Sequence, residues 1–247
     1  MTESVDFGYQ KVDATEKTAR VGRVFASVAP SYDLMNDLMS AGLHRLWKNY
    51  AVRVCGARPG CRALDVACGT GDMCARLARA VGGSGRVIGT DINAAMLERG
   101  RDRLMDEGWF DRVQCVRADA EALPFAAHSF DVVTIAFGLR NVTYKEQALR
   151  SMRRVLRPGG CLTILEFSRP VSEGLRGLYD AYSFRVLPAL GELVAGDRDS
   201  YRYLVESIRR HPDQRALAAM MEVAGFARVA WNNLSGGIVA VHRGWHL

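Results

Sequence analysis

The chain has 247 residues, of which 49% are hydrophobic and 24% are charged, a composition typical of a globular domain and not of a disordered, fibrous or repeat protein. Its 33 Lys and Arg residues exceed its 27 Asp and Glu residues by six, without a basic block of the kind that binds nucleic acid. This modest positive excess fits a solvated surface, and it also fits weak attraction to an anionic membrane surface.

The six cysteines form no C-x-x-C pair and show no Cys/His metal spacing, so we expect free thiols, a reducing compartment and no bound metal. The first residues lack the basic and apolar regions of a secretory signal. No apolar run approaches the roughly 18–20 residues that span a bilayer. We therefore predict a cytoplasmic protein, with peripheral contact to the inner face of the membrane left open.

The N-terminal part of the chain is predicted to be helical only after a loose start. Residues 1–20 are polar and show no clear period. Between residues 21 and 54 apolar side chains recur at helical spacing, with Pro30 and Gly42 dividing the stretch into short helices. We expect residues 1–57 to form a helical cap.

From residue 61 onward, short apolar runs alternate with helical segments. The predicted strands are residues 61–67, 86–91, 113–117, 130–136 and 162–167, and the predicted helices are residues 73–81, 94–107 and 145–156. Strands that are apolar on both faces and alternate with helices indicate a parallel sheet covered by helices on each side.

The C-terminal third departs from this alternation. Residues 171–211 form a mainly helical, aromatic-rich insertion, followed by a helix at 213–224 and a closing antiparallel hairpin at 228–242. The sequence therefore predicts one α/β domain over residues 1–247, with the cap and the insertion beside the carboxyl edge of its sheet.

The first predicted strand runs into the turn Gly69-Thr70-Gly71, where an open parallel sheet binds its ligands. A glycine turn alone could be a generic strand-to-helix connection. A nicotinamide dehydrogenase would need G-x-G-x-x-G, but Cys74 occupies the third glycine position. Asp72 would also repel a pyrophosphate at the helix start, whereas it suits a ligand that carries an amino group and a sulfonium.

Two later strand ends also carry acidic residues. Asp91 can accept hydrogen bonds from two ribose hydroxyls, as an acidic residue does after the second strand of a nucleotide-binding sheet. Asp119 and Ala120 follow the third strand, where a carboxylate and a backbone N–H can meet an adenine edge. Together with Gly69, Thr70 and Gly71, these residues predict an S-adenosylmethionine site, and so a Rossmann-like methyltransferase of class I.

Several segments carry a more specific resemblance. The segments are Tyr32-Asp33-Leu34-Met35-Asn36-Asp37-Leu38-Met39-Ser40 with His44 and Trp47, Phe137-Gly138-Leu139-Arg140-Asn141-Val142, residues 154–168, Asp180-Ala181-Tyr182-Ser183-Phe184, Ser200-Tyr201-Arg202-Tyr203-Leu204 and His242-Arg243-Gly244-Trp245. They resemble the ubiquinone/menaquinone biosynthesis C-methyltransferases, the UbiE/MenG family, from about Val24 to the C-terminus. The family's cofactor contacts fall on Thr70, Asp91, Asp119 and Ala120. Ala136 stands where the family often has a serine, so we leave it out of the site.

The resemblance implies methyl transfer from S-adenosylmethionine to a ring carbon of a polyprenylated quinol, either a naphthoquinol or a benzoquinol. Arg140 is a candidate to stabilise the phenolate, and Asn141 a candidate to position the ring oxygen or a bridging water. A structural ion pair and a turn cap are the alternative roles for these two residues. We interpret His44, His242 and His246 as structural.

Two other functions are left open at this stage. One is a methyltransferase of the same fold that acts on another small aromatic or lipid-like acceptor. The other is a non-catalytic scaffold in a quinone-synthesis complex. A homodimer is also left open, and we expect no nucleic-acid partner.

Overall fold

The computed structural model describes residues 4–28, 36–37, 40–183 and 198–247. Its strands are β1 (Ser4–Phe7), β2 (Gln10–Asp13), β3 (Arg62–Val66), β4 (Arg86–Asp91), β5 (Val113–Arg117), β6 (Phe130–Ala136), β7 (Leu156–Phe167), β8 (Ala227–Leu234) and β9 (Val239–Trp245). Its helices are α1 (Ala14–Val28), α2 (His44–Val54), α3 (Asp72–Val81), α4 (Ala94–Asp106), α5 (Lys145–Val155), α6 (Glu173–Ala181), α7 (Arg198–Arg210) and α8 (Gln214–Val223).

The central sheet has seven strands in the order β5-β4-β3-β6-β7-β9-β8. The first five strands are parallel, and β9 pairs antiparallel with both β7 and β8. The predicted α/β class, with its parallel sheet and closing antiparallel hairpin, is confirmed. Strand order reverses between β3 and β6, so a ligand crevice is expected at the carboxyl ends of these neighbours.

Helices bury apolar side chains on both faces of this sheet. On one face Leu149 and Met152 of α5 and Met221 of α8 are fully buried against the strands. On the other face Leu77 of α3 and Ala51 of α2 are fully buried. Burial of each large apolar side chain contributes about 1.5–3 kcal/mol to the free energy of folding, so the two helix layers hold the strand ends in fixed positions.

The prediction that residues 1–20 lack regular structure is wrong. Strands β1 and β2 form an antiparallel hairpin, and α1 begins at Ala14. The Phe7 ring stacks on Tyr203 of α7 with 4.2 Å between ring centroids, and Val12 is buried. The hairpin is therefore stabilised by a partner almost two hundred residues away, which no local sequence pattern could indicate.

The start of β7 also differs from the prediction, which ended a helix at 156 and began the strand at 162. Leu156 already pairs with Phe130, and Cys161 pairs with Val132, so residues 157–160 bulge out of the ladder opposite a single residue of β6. The backbone N–H of Gly159, at φ 82°, donates to the carbonyl of His246. The bulge thus fastens the C-terminal tail to the sheet.

Parts of the predicted motifs lie outside the described residues. These are residues 32–35, 38 and 39 of the N-terminal motif, and residues 184–197 of the predicted insertion. The single domain, its cap and its insertion therefore stay predictions. Among the described helices, none is long and apolar enough to cross a membrane.

Candidate functional site

A cleft that encloses about 850 Å³, including its open mouth, lies at the carboxyl ends of β3, β4 and β6. Four of the six predicted cofactor residues line it, namely Gly69, Asp91, Asp119 and Ala120, as does the candidate catalytic residue Asn141. Its position is the switch point of the sheet, where open parallel sheets bind their ligands.

The turn after β3 has an unusual backbone. Ala67, Gly69 and Gly71 all have left-handed conformations, with φ values of 53°, 55° and 79°. A Cβ added at Gly100 of α4 would lie 2.6 Å from the carbonyl oxygen of Gly69, so α4 approaches the turn as closely as its backbone allows. The glycines therefore permit both the tight turn and its close support from behind.

Asp91 connects this turn to the end of β4. One of its carboxylate oxygens accepts from the N–H of Gly69 at 2.9 Å, and the other accepts from the N–H of Asn93 at 2.8 Å. The side chain is 9% exposed, and burial raises the pKa of its carboxyl. Because each oxygen has a second lone pair, the carboxylate can still accept from two hydroxyls of a ligand.

Asp119 has a similar arrangement at the end of β5. Its carboxylate accepts from the N–H of Glu121 at 2.9 Å and caps the short 3-10 turn Ala120–Ala122. The cap fixes Ala120 at the wall of the cleft. Carboxylate and backbone are thus held side by side, as recognition of an adenine edge requires.

Thr70, Gly71 and Asp72 do not line the cleft. Asp72 instead pairs with Lys48 at 2.9 Å, Arg76 at 3.1 Å and Arg103 at 3.9 Å. Although burial raises the pKa of this carboxyl, the neighbouring cations lower it to about 2. Its charge is already compensated, so the sequence argument that Asp72 repels a pyrophosphate does not hold.

Cys74 has a structural explanation. Its thiol lies 3.6 Å from Asp65 and donates to that carboxyl, which also accepts from the Thr134 hydroxyl at 2.6 Å. Asp65 lies in β3 directly behind the turn, and burial raises the pKa of its carboxyl to about 7. The position of the missing third glycine is therefore used to hydrogen-bond a buried acid under the cofactor turn.

One wall of the cleft was missed by the sequence analysis. Helix α1 supplies Thr18, Val21, Gly22 and Phe25 to the lining. The Asn93 side-chain amide donates to the carbonyl of Gly22 at 3.0 Å and fixes the helix to the cofactor side. The apolar spacing of Val21 and Phe25 was visible in the sequence, but nothing there indicated which surface it faces.

The same helix is fixed to the opposite side of the cleft by Lys17. Its ammonium, on a side chain 4% exposed, donates to the carbonyl of Val142 at 3.3 Å. Lys145 donates to the same carbonyl at 3.1 Å. Burial, and then the charge of Lys145, lower the pKa of Lys17 to about 8.

Arg140 is buried in an ion pair and is not among the residues that line the cleft. Its guanidinium lies 2.7 Å from Glu166 of β7 and also donates to the carbonyl of Phe137. The backbone N–H of Arg140 donates to the second carboxylate oxygen of Glu166 at 3.2 Å. This geometry matches the structural ion pair that the sequence analysis gave as the alternative role.

Asn141 lines the cleft and has a distant partner. The Tyr203 hydroxyl of α7 donates to its side-chain oxygen at 3.1 Å, so the amide N–H₂ of this lining residue remains available as a donor. Phe137, beside it, has a left-handed φ of 57° and packs against Trp47 and Phe167. A strained backbone at a strand end next to a cleft is typical of functional sites.

The three histidines considered in the sequence have structural partners. His44 contacts the Asp37 carboxylate at 2.9 Å, His242 contacts the carbonyl of Gln214 at 2.9 Å, and His246 contacts the carbonyl of Leu156 at 2.8 Å. Within the described ranges, no group of three or more His, Cys, Asp or Glu side chains could hold a metal ion.

Comparison with known proteins adds to this geometry. The model of the family described as the ubiE/COQ5 methyltransferase family matches residues 13–246. The ubiquinone/menaquinone biosynthesis C-methyltransferase UbiE of Idiomarina loihiensis is 58% identical over 98% of this chain and 97% of its own length. The protein of the same name from Pseudomonas paraeruginosa is 59% identical over 96% of this chain and 93% of its own.

A solved structure supports the fold alone. A SAM-dependent methyltransferase of Thermotoga maritima, described as a possible histamine N-methyltransferase, superimposes with a TM-score of 0.64 at 20% sequence identity. The match covers 91% of this chain and 99% of that one. A likeness at this level of identity shows the architecture and not the methyl acceptor, so the acceptor must be argued from the site and the relatives.

Proposed function

Because the chain belongs to the ubiE/COQ5 methyltransferase family, we propose that it transfers the methyl group of S-adenosylmethionine to a ring carbon of a polyprenylated quinol. The acceptor is demethylmenaquinol, 2-methoxy-6-polyprenyl-1,4-benzoquinol or both. The observation that carries the proposal is the buried Asp91 carboxylate, which holds Gly69 and lines the cleft at the switch point.

The residues of the cleft fit S-adenosylmethionine. Asp91 would accept from the two ribose hydroxyls, and Asp119 with Ala120 would hold the adenine edge. The turn formed by Gly69, Thr70 and Gly71 would follow the methionine part by its backbone. When bound, S-adenosylmethionine supplies an electrophilic methyl on a positively charged sulfur, so the chemistry proposed for this site needs no metal.

The protein's task on the acceptor side is to orient the quinol and to share its phenolic proton. A ring carbon becomes a good nucleophile when the neighbouring phenol loses its proton to solvent water and pushes charge onto the ring. After the methyl has left the sulfur for this carbon, the carbon's own proton is released to water and the aromatic ring is restored. The ring carbon must be held about 3–3.5 Å from the methyl and in line with the leaving sulfur. The Asn141 amide would donate to the ring oxygen, directly or through a water.

We assign Arg140 a positioning role with a longer-range electrostatic one. Its side chain fixes the turn 139–141 by bonding Glu166 and the Phe137 carbonyl, and so aims Asn141 at the cleft. Stabilisation of a phenolate by direct contact, as expected from the sequence, would require Arg140 to leave Glu166. A charge pair this deeply buried is costly to separate.

Asn141→Ala tests the acceptor side without disturbing the Arg140 pair. We expect kcat/KM for the quinol to fall while the Kd for S-adenosylmethionine, measured by calorimetry, stays unchanged. Asn49→Ala, on α2 outside the cleft lining, is the control. Equal turnover by the two variants would remove Asn141 from the proposed mechanism.

A polyprenylated acceptor would reside in a membrane, and one face at the carboxyl edge suits peripheral contact with a bilayer. Leu46 is 63% and Val171 67% exposed, and Leu43 is also exposed. The Trp47 indole N–H donates to the Ser235 hydroxyl, and the backbone N–H of Val171 donates to the carbonyl of Gly236, so the segments that carry these exposed side chains adjoin.

Sedimentation with anionic vesicles tests the contact. Leu46→Ser should weaken binding, and a protein that never sediments would contradict it.

The two other functions make different predictions. Another small acceptor would leave the cellular quinones unchanged, and a non-catalytic scaffold would lack turnover with any acceptor. An intact cofactor turn with Asp91 and Asn141 at the cleft favours catalysis. A homodimer or a quinone-synthesis complex stays a prediction.

Quinone profiling of a deletion strain is the decisive experiment. Loss of the gene should cause demethylated quinones to accumulate, and re-expression of the intact chain should restore the methylated forms. The Asp91→Ala variant should fail to restore them. An unchanged quinone profile in the deletion strain would refute the proposed function.

A further inference from the structure

Three arginines stand side by side at the amino edge of the sheet, at the opposite ends of the strands from the cleft. Arg62 of β3 pairs in register with Arg86 of β4. Val87 pairs with Val113, so Arg112, directly before β5, is the neighbour of Arg86 on its other side. The N–H of Val87 donates to the carbonyl of Arg112 at 2.8 Å, which fixes this alignment. We call these residues the arginine row.

The arginine row has no carboxylate partner within the part of the chain that the structure describes. The Arg86 guanidinium donates to the backbone carbonyl of Gly85 at 2.8 Å, and that of Arg112 lies 5.0 Å from the centroid of the Trp109 ring. The Arg62 guanidinium lies 5.8 Å from the centroid of Phe130. Like charges on neighbouring strands repel each other, so the free row is destabilising.

The carboxylates near the row leave this charge largely uncompensated. Asp131 accepts from the backbone N–H of Arg62 and forms its ion pair with Arg157 at 2.9 Å. Asp111 lies beside Arg112 in the chain and is exposed to solvent. The surface around the row therefore carries at least two positive charges in excess.

The arginine row also lines a cavity that encloses about 900 Å³, including its open mouth, together with Phe110, Phe130 and one carboxylate, that of Asp111. Phe110 is 66% exposed. Guanidinium groups bind phosphate oxygens through paired N–H donors, and neighbouring strands place the backbones of successive arginines about 4.8 Å apart. A row of this length exceeds the reach of one tetrahedral anion. We propose that the cavity is a second binding site, for a small anion that carries two or more phosphate groups.

Arg86 is the centre of the row and gives the sharpest test. Inorganic pyrophosphate is titrated into the full chain by calorimetry at constant ionic strength, with S-adenosylhomocysteine present to occupy the cleft. Arg86→Gln removes the central guanidinium, and Arg215→Gln, an exposed residue of α8, removes an equal charge elsewhere. We expect binding about tenfold weaker in Arg86→Gln and unchanged in Arg215→Gln.

A thermal measurement separates this role from a purely structural one. Without pyrophosphate at low salt, Arg86→Gln should melt at the same temperature as the parent chain or higher, because repulsion within the row is relieved. With pyrophosphate the parent chain should gain more thermal stability than the variant. The proposal would be overturned if pyrophosphate raised the melting temperatures of the two proteins equally. It would also be overturned if pyrophosphate raised the melting temperature of the parent chain no more than chloride does at the same ionic strength.

Discussion

The two halves of the cleft are built in different ways. In the cofactor half, at the ends of β3, β4 and β5, carboxylates accept from backbone N–H groups, as Asp91 does from Gly69 and Asn93 and Asp119 does from Glu121. In the acceptor half, after β6 and β7, side chains bond to partners from distant segments. Asn141 is held by Tyr203 and Arg140 by Glu166. The first half thus depends on the backbone shape of the turns at the strand ends, and the second on side-chain pairs between elements far apart in the chain.

If the acceptor half depends on side-chain pairs, breaking its buried ion pair should have the largest effect on stability. Glu166→Gln leaves the Arg140 guanidinium buried without a counter-charge, since the two side chains are only 1% and 4% exposed. We expect the free energy of unfolding in urea to fall by about 3–5 kcal/mol.

Asp102→Asn is the matched control for that substitution. It removes the carboxylate of the Arg101–Asp102 pair, in which both side chains are more than half exposed. Exposed pairs contribute about 0–1 kcal/mol, so this variant should unfold almost as the parent chain does. Equal losses in the two variants would show that the Arg140 pair does not hold the acceptor half.

The cofactor half contains its own buried acid, and here removing the charge should stabilise the fold. Burial raises the pKa of Asp65 from its ordinary value of 3.8 to about 7. Between these values the native state binds more protons than the unfolded state, so stability falls as pH rises from about 4 to about 7. Asp65→Asn should reduce this fall.

Urea unfolding at several pH values from 4.5 to 8 measures the effect. Between pH 4.5 and 8, Asp65→Asn should reduce the loss in the free energy of unfolding by a few kcal/mol at most. A shift of one pKa unit is worth about 1.4 kcal/mol, and the hydrogen bonds of the new amide replace those of the acid imperfectly. A variant with the same pH profile as the parent chain would mean that Asp65 titrates normally.

The contrast between the halves also explains what the sequence could predict. Strands β4, β5 and β6 were predicted with their observed bounds because their short apolar stretches lie between turns and helical segments. Asp91 and Asp119 were found because the carboxyl ends of parallel strands meet at one edge, so that their position follows from the fold class. Helix α1 as a wall of the cleft was not predicted, since its contacts to Asn93 and Val142 span more than 70 residues.

The roles of the charged residues were harder to predict than their positions. Asp72 and Arg140 both stand beside predicted site residues, and in both cases the sequence suggested a contact with ligand. The structure gives each of them a protein partner, Lys48 for Asp72 and Glu166 for Arg140. Both partners lie more than 20 residues away in the chain, so the pairing depends on tertiary packing.

Asp91→Ala tests whether the cofactor half acts through its carboxylate. The substitution removes the acceptor proposed for the ribose hydroxyls and frees the N–H groups of Gly69 and Asn93. Hydrogen bonds to a charged group contribute about 1.5–3 kcal/mol each, so the Kd for S-adenosylmethionine should rise roughly a hundredfold. Asp106→Ala, exposed at the end of α4, is the control, and equal affinities in the two variants would contradict the assignment.

Tyr203→Phe should have the smallest effect and should act on the acceptor half alone. It removes one hydroxyl, which donates to Asn141 from a ring stacked on Phe7. A neutral hydrogen bond contributes about 1 kcal/mol, so kcat/KM for the quinol should fall about fivefold, whereas the Kd for S-adenosylmethionine should not change. Tyr50→Phe on α2, outside the cleft lining, removes a hydroxyl elsewhere and should change neither quantity. If Tyr203→Phe weakened cofactor binding as much as turnover, the two halves would be one coupled unit. The bond between Tyr203 and Asn141, 62 residues apart in the chain, would then also determine the shape of the cofactor half.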